Sequence, residues 1–547
     1  MVTAALLPLL ACLSVLVHAQ QSVTVDNIPV PVEARPVSGH TVGLAVEWFG
    51  IDRFMLVKPW NTGNELKPSI ISPVSVNAVK ILQSLNSPGF KTLIRIGGNS
   101  ARDMWWLPSI AGPWDPLPVR TDEVDIPQLQ FLDLFAQLTG VHYQLCIGTR
   151  FPDPNSWYTR ELLQAFRDYI SPEHVHSIEI GNEPDHFELK DIRPEGTYSY
   201  PTFISEFRSY QSVVSEYYPN TPQAGPSYAF PWRDEGLNEQ FIRDTAGSVR
   251  YNTIHRYDLR GCSDDSSLDE LMTRPSFDGS SYSFFTRAVN EGNNFGAKVV
   301  WNEAGTASCG GIDGISNVFA SALWTVDAAF TSGYLGVDEM LLSGAPQALY
   351  GPLTFEPNNI GWTVRPTYYG MLAFALAIPG DATVIRQFTE TDSYKVWGAW
   401  DDTVQVHTMT IINKARGNGP VTVTMDVPFG YPFAKRINLE APGGLTDRDG
   451  ARLAGMYYDP ATALLQGEYA EEIIDVSGAT RQITVTVPQE SAAIIFMSAR
   501  DLGNLMAPAA APLVGADADG KFVGSGAGAM YPLQALVLGA VIVALCL

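Results

Sequence analysis

Two glutamates could do chemistry together. Glu183 lies in Ile178-Glu179-Ile180-Gly181-Asn182-Glu183-Pro184, and Glu303 in Val299-Val300-Trp301-Asn302-Glu303-Ala304-Gly305. Each follows an asparagine at the end of a largely apolar run. Carboxylates brought within about 5–5.5 Å can cleave a glycosidic bond with retention. One delivers a proton to the leaving oxygen, and the other attacks the sugar carbon. A shared pocket splits their pKa values, so the two roles can coexist. The competing reading makes both glutamates solvated loop residues.

Other residues near these runs suit supporting roles. Asn182 is a natural partner for the sugar hydroxyl beside the reacting carbon, or else a turn cap. Tyr257, in His255-Arg256-Tyr257, could donate its hydroxyl to the attacking carboxylate, or be a plain core aromatic. Arg95 lies inside an apolar run and needs a carboxylate partner, which Glu303 or Asp103 could supply. Glu47 is a further candidate pocket carboxylate. Trp48, Trp105 and Trp106 could offer apolar faces to sugar rings, though ordinary packing serves as well. The consecutive glycines Gly310 and Gly311 fit a tight loop whose N–H groups face a ligand. His174, His176 and His186 lack an ordered ligand pattern, so no metal and no cofactor is expected. Ser308-Cys309-Gly310-Gly311 has neither a nucleophile elbow nor a Cys-His arrangement around it.

The elements that must position these residues alternate. Strand-like runs are Val42–Trp48, Thr92–Ile96, Tyr143–Ile147, Ser177–Ile180, Gln223–Tyr228, Thr253–Leu259, Lys298–Trp301 and Val337–Leu342. Helical stretches lie between several of them, at Ile126–Leu138, Trp157–Tyr169, Pro201–Tyr218, Asn238–Asp244 and Phe319–Ser332. Eight strands spaced by helices predict an α/β fold, a (β/α)8 TIM barrel, with reactive groups at the C-terminal strand ends. A doubly wound open sheet is the rival, but no Gly-x-Gly-x-x-Gly follows the first run. After Phe388 the period changes to strand alternation, as in Val421 to Met425, which predicts a C-terminal all-β sandwich. The expected organisation is 20–39 as an N-terminal strand joining the sandwich, 40–384 as the barrel and 385–500 as the sandwich.

The chain has 547 residues, and acidic residues outnumber basic ones 58 to 35, for a formal charge of −23. Such a field repels nucleic acid, anionic membranes and polysulfated polymers at long range. Residues 1–19 read as a signal peptide, with an apolar run from Leu6 to Val17 and a small-residue cleavage site at Val17-His18-Ala19. Residues 501–530 read as an Ala/Gly/Pro-rich linker. Residues 531–547 form a hydrophobic tail preceded by small residues, which fits a GPI-attachment signal, with a plain membrane anchor or a packed helix as alternatives. A secreted protein, anchored at the cell surface, is therefore expected, with a monomer favoured. Of the three cysteines outside the two terminal segments at most one disulfide can form, and Cys262 with Cys309 is the expected pair because both follow expected strand ends; Cys146 sits within a strand-like run.

Together these motifs resemble glycoside hydrolase family 79, the β-glucuronidases that include heparanase. The likeness rests on Arg95-Ile96-Gly97-Gly98-Asn99, Glu179 to Asp185, His255-Arg256-Tyr257, and Val300-Trp301-Asn302-Glu303 with Gly310-Gly311. It spans roughly residues 40–500. The resemblance implies a barrel with an appended sandwich and hydrolysis of β-linked glucuronic acid with retention. It makes Glu183 the acid/base and Glu303 the nucleophile, with Asn182 and Tyr257 supporting. It also implies that a tyrosine, matched by Tyr350, and the N–H groups of a glycine loop, matched by Gly310 and Gly311, read the glucuronate carboxylate. The spacing before Tyr350, and Cys309 within the loop, depart from the heparanase-like pattern. Backbone donors let an acidic protein bind an acidic sugar without a dedicated cation. The charge of −23 favours an exo-acting enzyme on terminal glucuronate, or its 4-O-methyl form, in glycans such as arabinogalactan side chains. The terminal signals suggest a fungal cell-surface member. Alternatives are another retaining β-glycosidase of the clan (xylanase or glucosylceramidase-like), a heparanase-like endo-enzyme, and a non-catalytic glycan-binding or structural protein.

Overall fold

A computed structural model describes residues 21–25, 35–37, 42–48, 92–106, 122–124, 126–155, 157–262, 266–273, 282–344, 348–355, 362–414, 416–417, 419–460, 465–476 and 481–505. The segments expected to be a signal peptide and a C-terminal hydrophobic tail, and most of the expected linker, lie outside these residues. So do the side chains of Asp103, Trp105 and Trp106. Among the described residues, no helix is long and apolar enough to cross a membrane.

Eight parallel strands close into a barrel, as the alternating pattern predicts. They are β1 (Val42–Glu47), β2 (Leu93–Gly97), β3 (His142–Ile147), β4 (Val175–Ile180), β5 (Gln223–Tyr228), β6 (Tyr251–Leu259), β7 (Lys298–Ala307) and β8 (Val337–Ser343). Each pairs with its neighbour in sequence, and β8 closes on β1 from Met340 opposite Val42 to Ser343 opposite Ala45. Strands covered on both faces need apolar runs rather than alternation, which is why they were legible as such. β7 departs from expectation: it continues past Trp301 to Ala307. Its register against β6 runs Ile254 to Trp301 and then His255 to Glu303, so Asn302 is an extra residue in β7. A bulge of this kind re-aims side chains beside a site. The small residues Ala304-Gly305-Thr306-Ala307 beyond it read as loop in the sequence.

The C-terminal strands β9 (Val384–Glu390), β10 (Tyr394–Asp401), β11 (Val406–Asn413), β12 (Val421–Asp426), β13 (Phe433–Glu440), β14 (Gln482–Val487) and β15 (Ser491–Ser498) build two sheets. One has β9, β10, β11, β15 and β13 in that order, flanked by Arg35–Pro36 on β9. The other sets β12 between Gln21–Val25 and β14. Val25, Val421, Val423, Val485 and Val487 from the smaller sheet pack on Val396, Met409, Ile411, Ile495 and Met497 from the larger. The opposite face of the larger sheet covers the barrel, where Trp397 stacks on Phe330 at 5.4 Å.

A buried charge cluster joins the two parts. Asp327, on the helix Ala320–Leu335, accepts from Lys395 Nζ at 3.0 Å and Lys414 Nζ at 2.5 Å, and Lys395 also reaches Glu390 at 3.1 Å. Burial works to raise the pKa of Asp327, but the two lysines outweigh it and hold it below the ordinary value. Its contribution to stability is therefore present above the ordinary aspartate pKa and is lost as pH falls through the depressed one. Asp327→Ala leaves two ammonium groups buried without this partner. We expect it to cost about 3–5 kcal/mol in denaturant unfolding. Asp313→Ala, which breaks an exposed pair with Arg448, should scarcely move the midpoint.

Candidate active site

Glu183 sits three residues beyond β4, in left-handed backbone at φ 49°, and its N–H donates to Ser227 O at 3.1 Å. Glu303 projects from the bulged part of β7. Oxygens of the two carboxylates and a ring nitrogen of His255 all lie within 4.8 Å of one another. The sequence places both glutamates by strand ends; the structure brings them face to face at one mouth of the barrel.

Their environments differ. Tyr257 Oη donates to Glu303 Oε1 at 2.7 Å, and Arg95 Nη1 donates to Glu303 Oε2 at 3.1 Å. Burial raises the Tyr257 pKa well above that of free tyrosine, so the phenol keeps its proton to donate. Gly305 makes room for this contact: a Cβ there would lie 2.6 Å from the Tyr257 ring. Glu183 faces three nitrogen-bearing groups: Lys190 Nζ at 2.5 Å and His186 Nδ1 at 3.6 Å from Oε2, and His255 Nδ1 at 3.2 Å from Oε1. Burial alone would raise its pKa; His186, His255 and Lys190 outweigh burial and hold Glu183 well below the ordinary carboxylate range.

Arg95 organises the floor. Its guanidinium donates to Glu179 Oε2 at 2.6 Å, to Asn182 Oδ1 at 2.8 Å and to Glu303. The partners are thus Glu303 and the unforeseen Glu179; Asp103 has no described side chain. Burial works against the guanidinium charge, but Glu179, Cys146 and Glu303 outweigh it and raise the Arg95 pKa. Glu179 also accepts from Ser227 Oγ at 2.6 Å and from Asn302 Nδ2. Because Arg95 takes the Asn182 carbonyl oxygen, the amide NH2 is the end left to meet a ligand.

Glu47 borders the same pocket, where it accepts from Asn99 N at 3.1 Å and from Ser100 N at 2.8 Å. Burial and the charge of Glu303 push it up to about 7, against those donors. Trp48 corrects an expectation. It is only 2% exposed, stacks on Phe166 at 5.4 Å and donates its indole N–H to Cys146 O. Its face belongs to the core and cannot meet a sugar. Tyr350 lies beside Tyr257, with ring centroids 5.4 Å apart, and burial followed by the Glu303 charge raises its pKa. Cys262 and Cys309 are joined, with Cα atoms 5.6 Å apart, which ties the glycine loop to the end of β6. Within that loop the Gly311 N–H donates to Ser308 O at 3.1 Å and closes a turn, so it is not free for a ligand as expected. An added Cβ at Gly310 would meet open space.

Sequence reasoning missed His255, Lys190 and Glu179. His255 had a signal: it shares a face of β6 with Tyr257 at the strand period of two. Lys190 had none, because it arrives from a turn after β4. The trio of Glu183, His255 and Glu303 also has the donor set of a divalent metal. All four carboxylate oxygens, however, already face Tyr257, Arg95, His255 or Lys190, and a cation would have to displace them. What the arrangement offers is one carboxylate fixed by a phenol and a guanidinium, facing a second that Lys190, His186 and His255 hold ionised.

No protein-family model matches the chain. A curated sequence, the baicalin-β-D-glucuronidase of Scutellaria baicalensis, is 25% identical over 265 residues; the match spans 46% of this chain and 46% of that protein, less than half of either. A 4-O-α-L-rhamnosyl-β-D-glucuronidase from Fusarium oxysporum superposes with a TM-score of 0.68 at 17% identity, over 87% of this chain and 99% of the other. A family 51 α-L-arabinofuranosidase from Bifidobacterium longum does so with a TM-score of 0.59 at 13% identity, over 87% and 99%. The chain therefore shares with these solved structures its overall fold.

Proposed function

We propose that the protein is a retaining glycosidase that removes terminal β-linked glucuronic acid, or its 4-O-methyl form, from extracellular glycans such as arabinogalactan side chains. The observation that carries the reading is the Glu183–Glu303 pair, with oxygens within 4.8 Å across one pocket and different donors on each. That span suits direct attack on the sugar carbon rather than a water held between the carboxylates. Glu303, with Tyr257 and Arg95 donating to it, is the nucleophile. Glu183 is the acid, then the base that activates water against the glycosyl ester. The Asn182 amide is placed to hold the neighbouring sugar hydroxyl. Support for glucuronate comes from the two similar proteins named β-D-glucuronidases and from Tyr350 beside Tyr257. The terminal segments support export, with attachment to the cell surface.

One observation favours a second reading, a related β-glycosidase acting on a neutral sugar: the Gly311 N–H is spent within its own turn. A panel of 4-nitrophenyl β-glycosides separates the two. We expect release from the glucuronide at least about tenfold faster, in kcat/KM, than from the glucoside or xyloside, the equivalent of about 1.4 kcal/mol. EDTA should leave the rate unchanged. Preference for the glucoside or xyloside would replace the substrate class, and no release from any would support a glycan-binding role.

A further inference from the structure

Lys190 poses a problem for the mechanism that also suggests its use. A general acid must carry a proton when the glycosidic bond breaks, yet Glu183 Oε2 lies 2.5 Å from an ammonium group. Lys190 is not locked there by burial: its side chain is 29% exposed, and its other partner is Asn99 Oδ1 at 2.7 Å. The Glu183 oxygens also face different ways. Oε1 is on the side of His255, which itself lies 3.5 Å from Glu303, whereas Oε2 faces Lys190 and His186. Oε1 thus shares His255 with the nucleophile, and Lys190 holds the other oxygen, on the side where the glycosidase reading puts the leaving group.

We propose that Lys190 is a specificity-determining group for an anionic leaving group. This rests on the glycosidase reading above. When a substrate bears a carboxylate on its leaving portion, the Lys190 ammonium pairs with that anion and leaves Glu183. With the nearest cation gone, Glu183 takes a proton from solvent. As Glu303 forms its bond to the sugar carbon, the glycosidic C–O bond breaks toward oxygen. That oxygen receives the electron pair and the Glu183 proton, and the leaving portion departs as a neutral hydroxyl with its carboxylate still on Lys190. The other charged or titratable neighbours of Glu183 are His186, His255, Asp185, Glu303 and, through longer-range charge, Tyr350, and the proposal requires only Lys190 to move. An opposite charge this close shifts a carboxyl pKa by about 1–3 units.

The test compares 4-nitrophenyl and 3-carboxy-4-nitrophenyl β-glucuronides on the wild type, Lys190→Met and Lys190→Arg. For the wild type we expect kcat/KM at least about tenfold higher with the carboxylated aglycone, a ratio that Lys190→Met reduces to near one and Lys190→Arg restores. The basic limb of kcat/KM, which reports the free enzyme, should move up by about one pH unit in Lys190→Met and stay put in Lys190→Arg. The basic limb of kcat should lie higher for the carboxylated substrate in the wild type only. A preference that survives Lys190→Met, or a limb that does not move, overturns the proposal. If the wild type cleaves neither glucuronide, the substrate reading fails, and the same two aglycones on a β-glucoside and a β-xyloside decide the role of Lys190. An enzyme that cleaves none of them overturns both.

Discussion

Replacing Glu303 by Gln should abolish turnover while leaving the fold intact. The amide keeps the size of the side chain: its oxygen can accept from Arg95 in place of Oε2, and its NH2 can donate to the Tyr257 hydroxyl in place of Oε1, where the carboxylate contacts are 3.1 and 2.7 Å. It cannot supply the anionic oxygen that forms the glycosyl ester. Loss of a nucleophile that acts as a unit with its neighbours costs about five to six orders of magnitude in kcat. The check is the initial rate on the aryl glycoside that the wild type prefers, with thermal unfolding measured alongside. A near-native unfolding midpoint with no measurable rate is the expected pair of results. Substantial activity with Glu303→Gln would remove Glu303 from its role.

The second large effect concerns Glu183, and it should depend on the leaving group. Glu183→Ala removes the proton donor, so glycosides with poor leaving groups should lose about 10²–10⁴ in rate. An aryl leaving group of low pKa needs little protonation, and its bond should still break. The glycosyl ester on Glu303 then accumulates, because no base activates water. Azide, an anion that needs no base, should restore turnover and give a glycosyl azide of unchanged anomeric configuration. The basic limb of the pH profile, set by the Glu183 proton, should disappear in the same variant. Equal losses on good and poor leaving groups, without azide rescue, would mean that Glu183 does not handle the proton.

Much of this was legible in the sequence because a parallel barrel writes itself plainly. Its strands are covered on both faces, so each reads as a short apolar run, and reactive groups follow those runs. The eight runs found in the sequence match β1 to β8 within a few residues, apart from the longer β7. That exception has a cause: the bulge at Asn302 and the small residues after it break the apolar pattern without ending the strand. Trp48 was misjudged because a tryptophan at a strand end looks the same in sequence whether it faces the mouth or the helix layer. The packing of Phe166 and the Cys146 carbonyl decides it. Lys190 could not be found, since nothing in its spacing from Glu183 indicates that a turn folds its side chain back onto that carboxylate. Glu179 was hidden in another way. A charge inside an apolar strand is readable as unusual, but its partners Arg95, Ser227 and Asn302 come from three other strands.

The claim on which the mechanism rests is that Glu303 bonds covalently to the sugar carbon while Glu183 serves the oxygen beside it. An activated 2-deoxy-2-fluoro-β-glucuronosyl fluoride tests it directly. The fluorine at C2 slows both oxocarbenium-like steps, and the fluoride leaving group speeds the first, so the ester should persist. Mass spectrometry of the intact protein should show the addition of one fluoroglucuronosyl unit, and peptide mapping should place it on Glu303. An adduct on any other residue, or hydrolysis that releases the opposite anomer with no adduct formed, would contradict the account.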